Sequence, residues 1–240
     1  MPSTPVKSTR GATRTASDGV VEHLEHLIFD GEFHPGDSLP SESELAASLQ
    51  VSRLTVREGV RSLAARGLVE VSHGRRPVVT APNASQLRDF FSSTVRRDAS
   101  GLLELLEVRL AIEVHAAELA ARNATGPQVD SLYAALQAMA SSDDDAAFTA
   151  ADLRFHHAIT EASGNRMISL LVEGMVDPLK TGRLLSLRGY LQGTPDLDAL
   201  IAEHRAIVDR IAAHDPKGAA RAMRSHLATT RRDLVRGLSG

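Results

Sequence analysis

Apolar positions recur at helical spacing along most of this chain, but their rhythm changes near residue 80. Val20, Val21, Leu24, Leu27 and Ile28 fall on one helix face. "GEFHPGDSLP" then interrupts the pattern with glycine and proline. Ser41 followed by Glu44 makes a capping box, which opens a short helix running through Leu49. Ser52 is placed to cap a third helix, with Val56, Val60 and Leu63 inward and Gly67 stopping it. "LVEVS" and "PVVTA" read as short strands on either side of "HGRR", a turn containing glycine.

From about Gly101 onward the short, punctuated segments give way to long Ala- and Leu-rich helical runs. Between the two regimes, "APNASQLRDFFSSTVRRDAS" is polar and weakly periodic, and reads as a linker with about one turn of helix. The chain therefore divides into a basic, disordered tail (1–16), a small three-helix-and-hairpin domain (17–80), a linker (81–100) and an all-helical domain (101–236). Three helices followed by a hairpin follow the winged helix-turn-helix plan, in which Ser41–Arg66 is the helix-turn-helix itself. The predicted fold class is mainly α: that winged head followed by an antiparallel all-α bundle of about six helices.

Composition narrows the chemistry. The 240 residues contain no cysteine, which excludes disulfides and thiolate metal sites, and no tryptophan. No apolar run reaches the length of a membrane span, and the polar start lacks the apolar stretch of a secretory signal, so a cytoplasmic protein without a membrane partner is expected. The net charge of −3 does not announce a nucleic-acid partner, but the local pattern does. Residues 17–50 carry eight acidic side chains and no Lys or Arg, whereas residues 51–76 carry six arginines against Glu58 and Glu70. Arg53, Arg57 and Arg61, spaced by four, line one ridge of the third helix, where they could reach guanine edges or phosphates. "HGRR" puts His73, Arg75 and Arg76 at the tip of the wing. An arginine ridge on a lone helix is usually a solvated face. The capping box, the short turn and the basic wing together turn the reading to DNA binding.

The stretch "LPSESELA", then "VSRLTVREGVRSLAARGLV", then "HG" closely resembles the DNA-binding domain of GntR-family transcription regulators, over about residues 17–80. Carried over residue by residue, the resemblance implies that Ser52, Arg53, Thr55 and Arg57 contact DNA from the recognition helix, and His73 and Gly74 from the wing. One departure is Ser43, where many relatives have Arg, so one contact is missing or supplied elsewhere. Leu54 is another, because a small or polar residue is usual there, and the operator sequence cannot be borrowed from relatives.

In the second region, helical wheels separate the polar side chains that face inward. In "ADLRFHHAIT", Asp152 and His156 share the apolar face with Phe155 and Ile159, while His157 turns toward Arg154 and Glu161. His204 sits within the stripe of Leu197, Leu200, Ile207, Val208 and Ile211, and His226 is flanked by Ala219, Ala222 and Met223. One buried histidine is ordinarily a satisfied core residue. Three, with an inward carboxylate one turn from the first, point to a divalent cation that satisfies all four groups at once. Asp152, His156, His204 and His226 form a mixed N/O set suited to Zn foremost, with Ni or Mn as alternatives. Arg109 lies at the centre of the face formed by Leu102, Leu105, Leu106, Ile112 and Ala116, with Glu113 one turn on. It is either a buried Arg–Glu pair or a guanidinium presented to a carboxylate ligand.

The second region also resembles the FCD domain of the FadR subgroup, through "VRLAIE" (108–113), "DLRFHHAITEASGN" (152–165), "EHRAI" (203–207) and "SHL" (225–227). That resemblance implies a bundle of six or seven helices, a metal on Asp152, His156, His204 and His226, a carboxylate effector touching Arg109, and a homodimer. The combined expectation is a dimeric, metabolite-responsive regulator that reads a pseudo-palindromic duplex operator and is not an enzyme; the resemblance implies a repressor released by a small carboxylate bound next to the metal ion. Two alternatives stand beside it. A metalloenzyme would need a free general base, for which Glu113 is the only candidate; alternatively, the ion is purely structural. The residues themselves name neither the effector nor the operator, and repression rather than activation rests on the resemblance alone.

Overall fold

The computed structural model describes residues 15–98, 100–193 and 196–239, which form two compact units divided between Gln86 and Leu87. The expected tail at 1–16 lies outside the described residues except for Thr15 and Ala16. Those two begin the first helix, α1 (Ala16–Phe29). Thr15 caps it: its hydroxyl accepts from the Asp18 amide at 3.2 Å, and the Asp18 carboxylate accepts from the Thr15 amide at 2.8 Å.

The first unit continues with α2 (Glu42–Ser48), α3 (Arg53–Ala65), β1 (Val69–Glu70) and β2 (Val78–Val79). The strands pair antiparallel, with Val69 opposite Val79 and Glu70 opposite Val78. The capping box at Ser41 and Glu44 forms as its residues predict, and Ser52 caps α3 by accepting from the Thr55 amide at 3.0 Å. Val20, Val21 and Leu24 of α1, Leu45 of α2, and Val56, Val60 and Leu63 of α3 make one core, closed by Val69 and Val79. Gly59 lets α1 and α3 approach, since a Cβ there would lie 2.8 Å from the Val20 methyl. Gly67, at φ +72°, ends α3 in the left-handed conformation that glycine tolerates best.

The stretch expected as a linker contains a 13-residue helix, α4 (Ser85–Arg97). Leu87, Phe91 and Val95, four apart, give it an apolar stripe that the surrounding polar residues obscure. None of its side chains is fully buried, so its helicity depends on what it packs against. Phe91 and Val95 lie on a cluster of Leu105, Leu153, Val172, Met175 and Leu179, and Leu87 crosses over Gly174, where a side chain would collide with it.

Six helices then follow among the described residues: α5 (Gly101–Asn123), α6 (Gly126–Ala140), α7 (Asp145–Ala162), α8 (Arg166–Gly193), α9 (Leu197–Ala212) and α10 (Pro216–Ser239). Their common core includes Leu132, Met139, Phe155, Ile159, Ile207, Ile211 and Met223. The backbones of α8 and α10 come unusually close, because Gly189 and Gly237 present no side chain. A Cβ on Gly189 would meet the Asp233 carbonyl oxygen, and one on Gly237 the Leu185 carbonyl oxygen. Among the described residues, no helix is long and apolar enough to cross a membrane.

Candidate functional site

In the first unit, a concave face lies between α2, α3 and the turn joining β1 to β2, lined by Arg53, Arg57, Arg61, His73, Arg75 and Arg76. All six side chains are exposed. Arg57 is held by Glu42 of α2, donating from Nε at 3.0 Å and from Nη2 at 2.7 Å. That pairing holds the Glu42 carboxyl below its usual range. Arg76 reaches Glu44 at 3.0 Å, so two acidic residues of α2 tether two arginines of the face. Gly74, at φ +71°, makes the sharp turn of the wing. Ser52 and Thr55 are engaged with each other at the start of α3, hydroxyl to hydroxyl at 2.8 Å. Ser43 lies on the same face, exposed.

In the second unit, three helices carry histidines to one point. Asp152 and His156 come from α7, His204 from α9 and His226 from α10. All four are buried, and one ligand atom of each lies within 4.8 Å of the others. His157 and Arg154 face away, as the helical wheel predicts; His157 lies 3.6 Å from Glu161. Phe155 meets the His156 and His204 rings edge-on, with centroids 5.6 and 5.1 Å apart.

The orientation of each imidazole is set from behind. His204 Nδ1 lies 2.8 Å from the Leu200 carbonyl, which only accepts, so Nδ1 carries the proton and donates. His226 Nδ1 donates to Glu203 at 3.0 Å, and His156 Nδ1 donates to Glu113. Each ring therefore turns Nε2 inward as a lone pair, the arrangement that outer-shell acceptors impose on metal-ligating histidines. Burial pushes the His156 and His204 imidazoles down to about 4, and pushes His226 well below its ordinary value, so all three are neutral at pH 7. His204 Nε2 then faces Asp152 Oδ1 at 2.9 Å, one electron pair against another. His156 Nε2 and His226 Nε2 are buried without a hydrogen-bond partner. This donor set fits a divalent cation, which would accept all four.

Arg109 is buried as expected, but Glu113 occupies it, accepting from Nε at 2.6 Å and from Nη2 at 3.2 Å. Burial alone would raise the Glu113 carboxyl; Arg109 and His156 outweigh it and hold it well below the carboxylate range. Of the two readings of Arg109 open in the sequence, the paired one describes the geometry. Glu113 is in turn committed to both Arg109 and His156, so it is not a free base.

A second buried arginine, missed in the sequence, lies beside the four ligands. Arg183 of α8 contacts Asp152 Oδ2 through Nη1, while its Nε and Nη2 are buried without hydrogen-bond partners. Burial, followed by the nearby charge of Arg109, depresses its guanidinium. It lines a cavity with Asp152, His204 and His226, whose other polar walls are Thr149, Ser186, Tyr190, Thr230 and Asp233. A second carboxylate that the sequence reading passed over, Asp233, lines the same space; burial raises it, and it accepts from Arg236 Nη1 at 3.0 Å. The signal for Arg183 was present: Leu179, Leu187 and Tyr190 put it on an inward face, the same pattern that singled out Arg109.

Comparison with known proteins places both units. Residues 104–229 match the FCD domain family, and residues 16–79 match the family described as bacterial regulatory proteins, gntR family. The HTH-type transcriptional repressor NanR of Escherichia coli K12 is 34% identical over 220 residues, spanning 90% of this chain and 83% of that protein. NanR of Citrobacter rodentium is 33% identical over 226 residues, spanning 90% and 84%. Among solved structures, Streptococcus agalactiae GntR superposes with a TM-score of 0.69 at 28% identity, covering 90% of this chain and 99% of that one.

Proposed function

Because the chain belongs to the gntR family of bacterial regulatory proteins and carries an FCD domain, we propose that this DNA-binding transcription regulator is a repressor released by a small carboxylate. Repression is what the name of its NanR relatives states of them. In this reading two copies associate and set two α3 helices into a pseudo-palindromic duplex operator. Arg53, Arg57 and Arg75, with Ser52, Thr55, His73 and Gly74, make the contacts to phosphates and base edges. Glu42 and Glu44 keep Arg57 and Arg76 extended until phosphates replace them.

In the second unit, Asp152, His156, His204 and His226 hold a divalent cation, with Zn, Ni or Mn suited to the donors. The observation that carries this reading is the convergence of three inward Nε2 lone pairs on Asp152, beside a buried guanidinium with two unpartnered donors. When bound, the cation supplies positive charge to a carboxylate oxygen. The chain's own part falls to Arg183, whose Nε and Nη2 donate to the effector carboxylate, the role the sequence had suggested for Arg109. Thr149, Ser186, Tyr190, Thr230 and Asp233 supply the cavity's other polar walls and favour ligands with further polar groups. The effector shifts DNA binding only if it prefers one state of the regulator over the other.

The test is a thermal-shift screen of small carboxylates, with Zn, Ni and Mn and with chelator, on the wild type and on Arg183→Met. Hits are then assayed for release of the protein's own upstream DNA. The reading expects metal-dependent stabilisation by a carboxylate, its loss in Arg183→Met, and release of DNA at the same concentrations. Stabilisation by metal with no carboxylate response would leave only a structural ion. Turnover of a bound acid or ester would revive the metalloenzyme.

A further inference from the structure

Leu54 is the second residue of α3 and is 63% exposed. Single exposed apolar side chains are ordinary on protein surfaces, so exposure alone carries nothing. Its position does. On a wheel of about 100° per residue, Leu54 falls roughly opposite the buried side of α3 that Val56, Val60 and Leu63 form. It therefore points straight out from the first turn of the helix. The Ser52 cap, accepting from the Thr55 amide at 3.0 Å, fixes that turn and with it the direction of the Leu54 Cα–Cβ bond.

Its outward neighbours Arg53, Arg57 and Arg61 are charged, exposed and spread along the flank of the helix. Such side chains reach phosphates and purine acceptors. Leu54 can do neither, since it has no donor or acceptor. In the major groove, the apolar feature a base edge offers is the C5-methyl group of thymine. An isobutyl group facing guanine, adenine or cytosine would instead cover donors or acceptors and leave them unpaired.

We infer that Leu54 reads a thymine 5-methyl group in the operator half-site, and that it is a specificity-determining residue of α3. The inference rests on the operator reading proposed above. It also sets the chemistry of one operator position: a thymine beneath the start of the recognition helix, discriminated by apolar contact rather than by a hydrogen bond. Burying one methyl group against Leu54 corresponds to about a fourfold change in affinity.

The test starts by enriching duplexes from a randomised pool with the full-length wild-type protein. Each thymine of the enriched sequence is then replaced singly by deoxyuridine, which removes only the methyl group. Affinities are measured by fluorescence anisotropy at one fixed salt concentration for the wild type, Leu54→Ala and Leu54→Met. The expected result is one thymine per half-site whose demethylation weakens the wild type about fourfold. The same change should leave Leu54→Ala indifferent and still weaken Leu54→Met. If no deoxyuridine position matters, or if the sensitive position costs Leu54→Ala as much as the wild type, the inference is overturned while the operator reading stands. If no sequence is enriched at all, the operator reading itself fails and takes this inference with it.

Discussion

Two arginine–glutamate pairs, one in each unit, have nearly the same geometry. In the first unit, Arg57 meets Glu42 through Nε at 3.0 Å and Nη2 at 2.7 Å; in the second, Arg109 meets Glu113 through the same atoms at 2.6 and 3.2 Å. Their surroundings are opposite. The Arg57 and Glu42 side chains are 46% and 28% exposed, whereas Arg109 and Glu113 are 1% exposed each. In water the two partners hold each other weakly and can exchange, so Arg57 remains able to take another anion. In the interior neither charge has another place to go, so the pair becomes a fixed support, and what it supports is the orientation of His156. The head thus keeps its charges on the surface, where a polyanion can reach them, and the helical unit keeps its charges inside, where only another buried group can satisfy them.

Removing one partner of the buried pair tests that contrast most severely. Glu113→Ala leaves the Arg109 guanidinium buried and uncompensated, and should destabilise the second unit by about 3–5 kcal/mol. Both tyrosines, Tyr133 and Tyr190, lie in the second unit, so their emission during urea denaturation follows that unit. Amide exchange of the first unit should be unchanged in the same variant. A second unit that unfolds at the wild-type midpoint would show that burial does not separate the two pairs.

A smaller effect is expected one layer behind the histidines. Glu203 accepts from His226 Nδ1 but is 32% exposed, so Glu203→Gln should leave folding nearly intact. It should weaken Zn or Ni binding about 10- to 100-fold, read by competition with a chelating dye. Unchanged metal affinity would mean that Glu203 does not fix the His226 tautomer.

The exposed pair should yield the least. Glu42→Ala should leave the denaturation midpoint of the first unit unchanged and preserve the salt dependence of DNA binding. Arg57→Ala should flatten that dependence by about one unit of slope in log affinity against log salt. Equal slopes for wild type and Arg57→Ala would show that Arg57 serves only to hold Glu42.

The two units were not equally legible in the sequence. In the head, the cap at Ser41, the cap at Ser52, the arginines four apart and the Gly74 turn all lie within 37 residues, from 41 to 77, and each is local chemistry that a short window contains. The helix α4 escaped notice because Leu87, Phe91 and Val95 become an apolar face only against α8 and Gly174. In the helical unit the inward histidines were legible because each sits on the apolar stripe of its own helix. Their partners were not: nothing local says that Glu203 would take His226, or that Arg183 would contact Asp152 from a different helix.

Sequence by itself determined which side chains are polar and inward: Asp152, His156, His204, His226, Arg109 and Glu113 are all buried as their periodicity predicts. Periodicity is a property of one helix, so it settles inward against outward and no more. Only the tertiary structure decided which buried charges satisfy one another. Glu113 could have left Arg109 free for a ligand, but packing set α5 against α7, so the carboxylate bridges Arg109 and His156 and the arginine is taken. The close crossing of α8 and α10 at Gly189 and Gly237 brings Arg183 and His226 into the walls of one cavity. Distances between helices follow from how ridges and glycine gaps fit together, and those distances decide that Arg109 meets Glu113 while Arg183 meets Asp152.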